Sequence, residues 1–186
     1  MLRRQHAGPL AAFVLVLVAG QAHAAEWVSK SGEVTYHLVH KLHAVDATTT
    51  KVEALAILDG AGLKVMARAP VASFDSKNAN RDAHMLEVVD AAQFPLVTVK
   101  AAAPGVVLPA AGKATIKLDG MVELKGVKAP VPITAEVDLS TPGRAVVHFE
   151  LSTKLTAHGI ERPSLLFVPV DDELKITGTL TMEPKS

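Results

Sequence analysis

Residues 113–124 read KATIKLDGMVEL, from Lys113 to Leu124. Thr115, Lys117, Asp119 and Glu123 fall on one parity, and Ile116, Leu118, Val122 and Leu124 on the other. That is the period of a β-strand with one face in water and one in a core. The same alternation recurs outward in both directions. Downstream, Gly126 marks a turn and Val131–Leu139 alternates through Ile133, Ala135 and Val137. Thr141-Pro142-Gly143 then turns the chain into Ala145–Leu151, where Val147 and Phe149 are aligned. In Leu174–Met182, Leu174, Ile176, Leu180 and Met182 oppose Lys175, Thr177, Thr179 and Thr181. Upstream, Leu96–Ala101 is a short strand between Pro95 and Pro104. Lys51–Leu58 and Leu63–Ala69 flank the hairpin signal Gly60-Ala61-Gly62. Glu33–Leu42 is the first alternating strand, with Val34, Tyr36, Leu38 and Leu42 on one face.

About eight strands at this spacing describe one all-β domain, a sandwich or a barrel. Only Asn80–Asp90 (NRDAHMLEVVD) breaks the alternation. It reads as one or two helical turns, with Asn80 as N-cap and Asp82 in the acidic first turn. Closing the sheet removes its edges, and eight strands enclose a space that side chains just fill or that holds one small ligand. Alanines inside the strands (Ala54, Ala67, Ala135 among them) and only seven aromatic residues favour a hollow interior. Ala135, between Ile133 and Val137, is expected to face it. A solid barrel is the alternative.

The N-terminus sets the expected compartment. Arg3 and Arg4 precede the apolar run Leu10–Ala19, and Ala22-His23-Ala24 follows as a small-x-small cleavage box. This order describes a secretory signal peptide covering residues 1–24, the run being about half the roughly 20 residues of a spanning helix. The expected mature domain is 25–186, periplasmic or secreted, with no stable membrane anchor. The twin arginines leave the export route open. Removing residues 1–24 leaves 162 residues with a formal charge of −2 and no basic run, so nucleic acid is not an expected partner. The chain has no cysteine, which excludes disulfides, thiolate metal sites and cysteine nucleophiles.

Polar clusters are few. His37, His40 and His43 stand three residues apart. On one strand odd steps alternate faces, and six residues span about 20 Å, so no shared metal is expected. Arg81, Asp82 and His84 form the densest cluster, read either as a headgroup-binding set or as a buried ion pair and cap fastening the helical turn. Ser73 and Ser76 have no base beside them in sequence, and Asp171-Asp172-Glu173 is a solvated turn. With no nucleophile–base pair or phosphate loop evident, a binding protein rather than an enzyme is expected.

Two stretches carry a resemblance. Phe74–Ala101 contains Asn80 and the Arg81-Asp82 pair, then His84-Met85, a short helix, and Phe94-Pro95 entering a strand. Gly120–Ile133 reads GMVELKGVKAPVPI. Together they resemble the YceI-like family, with weaker matches at His40 and in the closing segment HGIERPSLLFVPVDDELKI, and the likeness runs through residues 25–186 in order. Ala47–Thr50 (ATTT) departs from the family's Gly-x-Phe.

The resemblance implies an extended, antiparallel, eight-stranded lipocalin-like barrel in the periplasm, holding an isoprenoid, quinone or fatty-acid-like lipid and needing no cofactor. It nominates Arg81, Asp82, His84 and Met85 at the rim, Phe94 below, and His40 on the first strand. Strand parity and bulk add Phe149 and Phe167. A homodimer is compatible with the sequence. The readings from other classes are a structural or stress-related interaction protein with a packed barrel, and an isomerase or hydrolase.

Overall fold

The computed structural model describes residues 24–40, 43–162, 164–165 and 168–186. The strands are β1 (Ala25–His40), β2 (His43–Thr49), β3 (Glu53–Asp59), β4 (Gly62–Pro70), β5 (Leu96–Pro104) and β6 (Lys113–Leu124). They continue with β7 (Val127–Thr141), β8 (Arg144–Lys154), β9 (Ser164–Leu165), β10 (Val168–Pro169) and β11 (Glu173–Pro184). One helix, α1 (Ala79–Val88), stands between β4 and β5.

All pairings are antiparallel, and β1 joins β11 to close the sheet. β2 and β3 pair with β1 in one register, Val34 opposite Thr49 and Val28 opposite Leu55. They therefore act as one strand bent at Thr50–Val52, and the barrel has eight strands. β9 and β10 form a separate small hairpin. The bend is fixed by buried Thr49, whose Oγ1 accepts from Lys51 N at 3.0 Å. Ser73 spends its one proton on Pro70 O at 2.6 Å, so Thr49 donates to Ser73 Oγ, also at 2.6 Å. The β6–β7 turn takes two residues, Lys125 and Gly126, both at positive φ, as a tight twisted hairpin requires.

Two local expectations need correction. The first strand ends at His40, and the chain returns at His43, which pairs with His40 across a hairpin. His37 and His43 therefore stand on two paired strands and not about 20 Å apart along one. His37 instead faces Asp46, with Nδ1 2.9 Å from Asp46 Oδ1 and Nε2 2.9 Å from Thr177 Oγ1. The helix begins at Ala79, not Asn80, and its N-cap is Asn78. Asn78 has extended backbone, and its Oδ1 accepts from Arg81 N at 3.1 Å. Asn80 already belongs to the first turn.

Inward parity is regular along β6 and β7, where Ile116, Leu118, Ile133 and Val137 are buried. Glycines inside the barrel let bulky neighbours lie flat against the sheet. A Cβ on Gly120 would stand 2.7 Å from Ile133 Cδ1, and one on Gly178 would strike the Phe149 ring. Interior glycines of this kind mark close approach of another group, here an inward side chain from the adjacent strand.

Candidate functional site

Inward side chains fill only one end of the barrel. The other end encloses a cavity of about 470 Å3. Along β4, β5, β6, β8 and β11 the lining stops at a definite residue. Ala67 lines it but Val65 does not; the same holds for Val99 against Ala101, Val122 against Gly120, Phe149 against Val147, and Leu180 against Met182. Above this floor the surface is aliphatic, from Val34, Val52, Leu151, Leu174 and Ile176 among others. β-Branched residues suit the pleated wall, and an apolar wall with a few polar groups at one end is the usual form of a small-molecule pocket.

Those polar groups sit beneath α1. Tyr36, Asn80, Arg81 and His84 all border the cavity, and Asn80 and His84 are also exposed, so the cavity reaches the surface there. Tyr36 projects inward from β1 because it shares parity with Val34 and Leu38. Its ring packs at 44° against Phe74, centroids 5.6 Å apart. Burial, then the Asp82 charge, push its phenol up to about 12, while Arg81 pulls the other way.

Arg81 and Asp82 converge on buried Ser76. Arg81 Nε donates to Ser76 Oγ at 2.8 Å and Nη2 to Ser76 O at 2.7 Å. Ser76 in turn donates its hydroxyl and its backbone N–H to Asp82 Oδ1, the latter at 3.1 Å. The expected ion pair is thus a serine-bridged bracket that ties α1 to the loop after β4. A guanidinium carries five N–H donors, and the bracket uses two. Among the described residues Nη1 has no protein partner, while Arg81 borders the cavity.

The domain model for YceI-like proteins matches residues 26–182. The chain belongs to the YceI-like family. Similar solved structures include a polyisoprenoid binding domain from Saccharophagus degradans, with TM-score 0.71 and 14% identity over 86% of this chain and 98% of that one. Burkholderia cenocepacia BcnA gives TM-score 0.68 and 20% identity over 81% and 95%. The Campylobacter jejuni YCEI protein gives 0.57 and 16% over 80% and 89%. No curated protein sequence matches significantly. At these identities the structural likeness establishes a shared fold.

Of the residues nominated through the YceI-like motif, Arg81, His84 and Met85 line the cavity, and so does Phe149. Asp82 stands behind Arg81, occupied by Ser76. Phe94 is not on the cavity wall. Its ring lies against Gly126 at a distance a Cβ would not permit, so it wedges the β6–β7 turn under the chain entering β5. His40 ends β1, its backbone paired with His43; its side chain lies outside the described part of the structure. Phe167 also lies outside the described residues. Ala135, expected to face open space, is buried between Phe149 and Ile116 and does not line the cavity. Sequence reasoning passed over Tyr36, Phe74 and Ser76 as functional positions. For Tyr36 a signal existed, since it is the one hydroxyl-bearing aromatic on an inward parity.

Proposed function

We propose that this YceI-like protein binds one single-chain amphiphile, with its tail in the barrel and its polar head beside Tyr36 and Arg81. The observation that carries this is the aliphatic cavity of about 470 Å3 that opens at one end onto a phenol and a guanidinium. A saturated or isoprenoid tail offers no hydrogen bonds, so affinity comes from area removed from water, about 25 cal/mol per Å2. An acidic or hydroxyl head then finds donors at the opening. The polyisoprenoid binding of the Saccharophagus domain supports an isoprenoid tail; quinones and fatty acids share the same chemistry. On this reading Ser76, engaged on both sides by Arg81 and Asp82 and not bordering the cavity, holds α1 in place and does not meet the ligand.

Mass spectrometry of an organic extract of purified protein should return a lipid. Readding it to delipidated protein should raise Tm, by an amount equivalent to about 2.7 kcal/mol at a hundredfold excess over Kd. Protein that yields no lipid and gains no stability from any would overturn the proposal. We further propose that the protein works in the periplasm after losing residues 1–24. Intact-mass measurement should then give a chain starting at Ala25, and retention of the segment Met1–Ala24 would refute it.

A further inference from the structure

On the outside of the barrel, across β3–β7, the side chains form a grid whose charges are opposites about β5. Its middle row runs Leu55, Met66, Lys100, Met121 and Pro130, each in register with the next. One adjoining row runs Glu53, Arg68, Thr98, Glu123 and Lys128, and the other Ile57, Lys64, Ala102, Asp119 and Pro132. These positions face outward because their strand neighbours Ala67, Val99 and Val122 line the cavity. Met66 and Met121 are 47% and 42% exposed. Ala102 is short, and a shallow depression opens over it, bordered by Leu55, Lys64, Met66, Lys100 and Asp119. Counted outward from β5 in both directions, Arg68 corresponds to Glu123, Lys64 to Asp119 and Glu53 to Lys128, while apolar positions correspond to apolar ones.

We infer that this face binds a second copy of the chain, sheet against sheet, about a two-fold axis running along β5. Such an axis lays β4 of one copy on β6 of the other, and β3 on β7, so each contact occurs twice. Arg68 then meets Glu123 of the second copy, Lys64 meets Asp119, Glu53 meets Lys128, and Met66 meets Met121 between them. An axis across the strands would instead set Arg68 on Lys64 and Glu123 on Asp119, so charge selects the first orientation. It also leaves the strands of the two sheets nearly aligned, as packed sheets prefer. Within one copy Arg68 already pairs with Glu53 at 2.6 Å and Lys128 with Glu123 at 3.8 Å. Association joins these pairs into alternating rings of four charges and breaks neither. On the axis Lys100 meets its own copy, and its flexible stem lets the ammonium lean toward Asp119 or Glu123, its diagonal neighbours. The patch measures roughly 24 by 20 Å from the usual strand and residue spacings, below the about 800 Å2 per partner of a stable complex. A weak, reversible dimer is therefore expected.

Sedimentation equilibrium of the purified protein, up to about 1 mM because the patch is small, tests this. It should show a monomer–dimer equilibrium that added salt weakens. Met66→Asp, at an exposed position, should weaken it by roughly tenfold or more with Tm unchanged. Lys64→Asp and Asp119→Lys each set like charges across the axis and should be monomeric alone. Mixed in equal amounts they should recover the dimer, since each supplies the charge the other lacks. Lys100→Met removes the one like-charged contact and should tighten the dimer. A wild type monomeric throughout overturns the inference, as does a dimer indifferent to Met66→Asp or a mixture that stays monomeric. A looser dimer with Lys100→Met overturns the axis along β5. A monomeric wild type that floats with phosphatidylethanolamine–phosphatidylglycerol vesicles, and no longer does so as Met66→Asp, would give the face to a bilayer instead.

Discussion

The two ends of this barrel are drawn from the same strands and the same alternating pattern, yet they are held together differently. Beyond Phe149, Ile116, Val137 and Met182 fill the interior, and Leu118 and Ile133 are buried off the cavity wall. Under α1 the interior is open, and cohesion comes from polar brackets around the rim. Ser76 joins Arg81 to Asp82, and Thr49 joins the β2–β3 bend to Ser73. His158, wholly buried, donates from Nδ1 to Val127 O at 3.0 Å, and its Nε2 lies 2.9 Å from Thr153 Oγ1. A cavity removes the packing that would otherwise tie wall to wall. Hydrogen bonds across the rim supply closure without filling the space, so the open end can stay open.

The largest test of that contrast compares two isoleucines. Ile133→Ala in the filled end should cost about 2–5 kcal/mol, because it adds a void to a closed core. Ile176→Ala should cost clearly less, since Ile176 already borders the cavity and has fewer contacts to lose. Denaturant unfolding of both variants decides; equal losses would mean that the open end collapses in solution. Next in size is insertion. Ala135→Phe should overpack against Phe149 and cost about 1–3 kcal/mol. Ala67→Phe, on the cavity wall, should leave Tm nearly unchanged while abolishing lipid uptake. Matching destabilisation by the two phenylalanines would break the distinction between the ends.

Much of the frame was legible beforehand, and the residues show why the rest was not. Alternation reports which face a residue occupies, so the inward sets of β6, β7 and β11 could be read directly, including β6 from Lys113 to Leu124. It does not report what stands opposite. Whether Ala135 meets a void depends on Phe149 one strand away, and whether Phe149 lies flat depends on Gly178 one strand further. The sequence between His40 and His43 carries no Gly or Pro to interrupt the alternation, which runs on to Leu42, a residue outside the described part of the structure. Asn78 and Asn80 are equally good caps by type, and only the extended backbone at Asn78 separates them. Within the motif of the resemblance, Phe94 supports the β6–β7 turn rather than the cavity.

A smaller effect probes the bracket. Ser76→Ala removes the group to which both Arg81 and Asp82 bond, so it should cost about 1–3 kcal/mol. Arg81→Ala should cost less, because Ser76 keeps Asp82 and Arg81 is only half-buried. The buried-pair reading would have put about 3–5 kcal/mol on that arginine. Arg81→Ala should instead weaken acidic lipids more than prenols. Thermal unfolding beside a binding assay separates the two, and a larger stability loss for Arg81→Ala than for Ser76→Ala would restore the ion-pair account.

The smallest effect at neutral pH is the most local report on the open end. Tyr36 is the one tyrosine of the chain, so its ionisation can be followed by tyrosinate absorbance without overlap from another phenol. Its phenol is pushed from 10.0 to about 12 by burial first and the Asp82 charge second. The folded state therefore holds the proton more tightly than the unfolded chain. The stability this contributes is complete below about pH 10 and is lost as pH rises through about 12. Between those limits the protein should unfold more easily, and a Tyr36→Phe variant should lose that part of the pH dependence. A bound tail displaces water from around the phenol and should move its midpoint higher still. Asp82→Asn should lower the midpoint and Arg81→Ala raise it, since the two charges act on Tyr36 in opposite directions. A midpoint near 10 in the free protein would mean that water already surrounds the hydroxyl. The open end would then be a solvated cleft, and the apolar cavity would begin only below Tyr36.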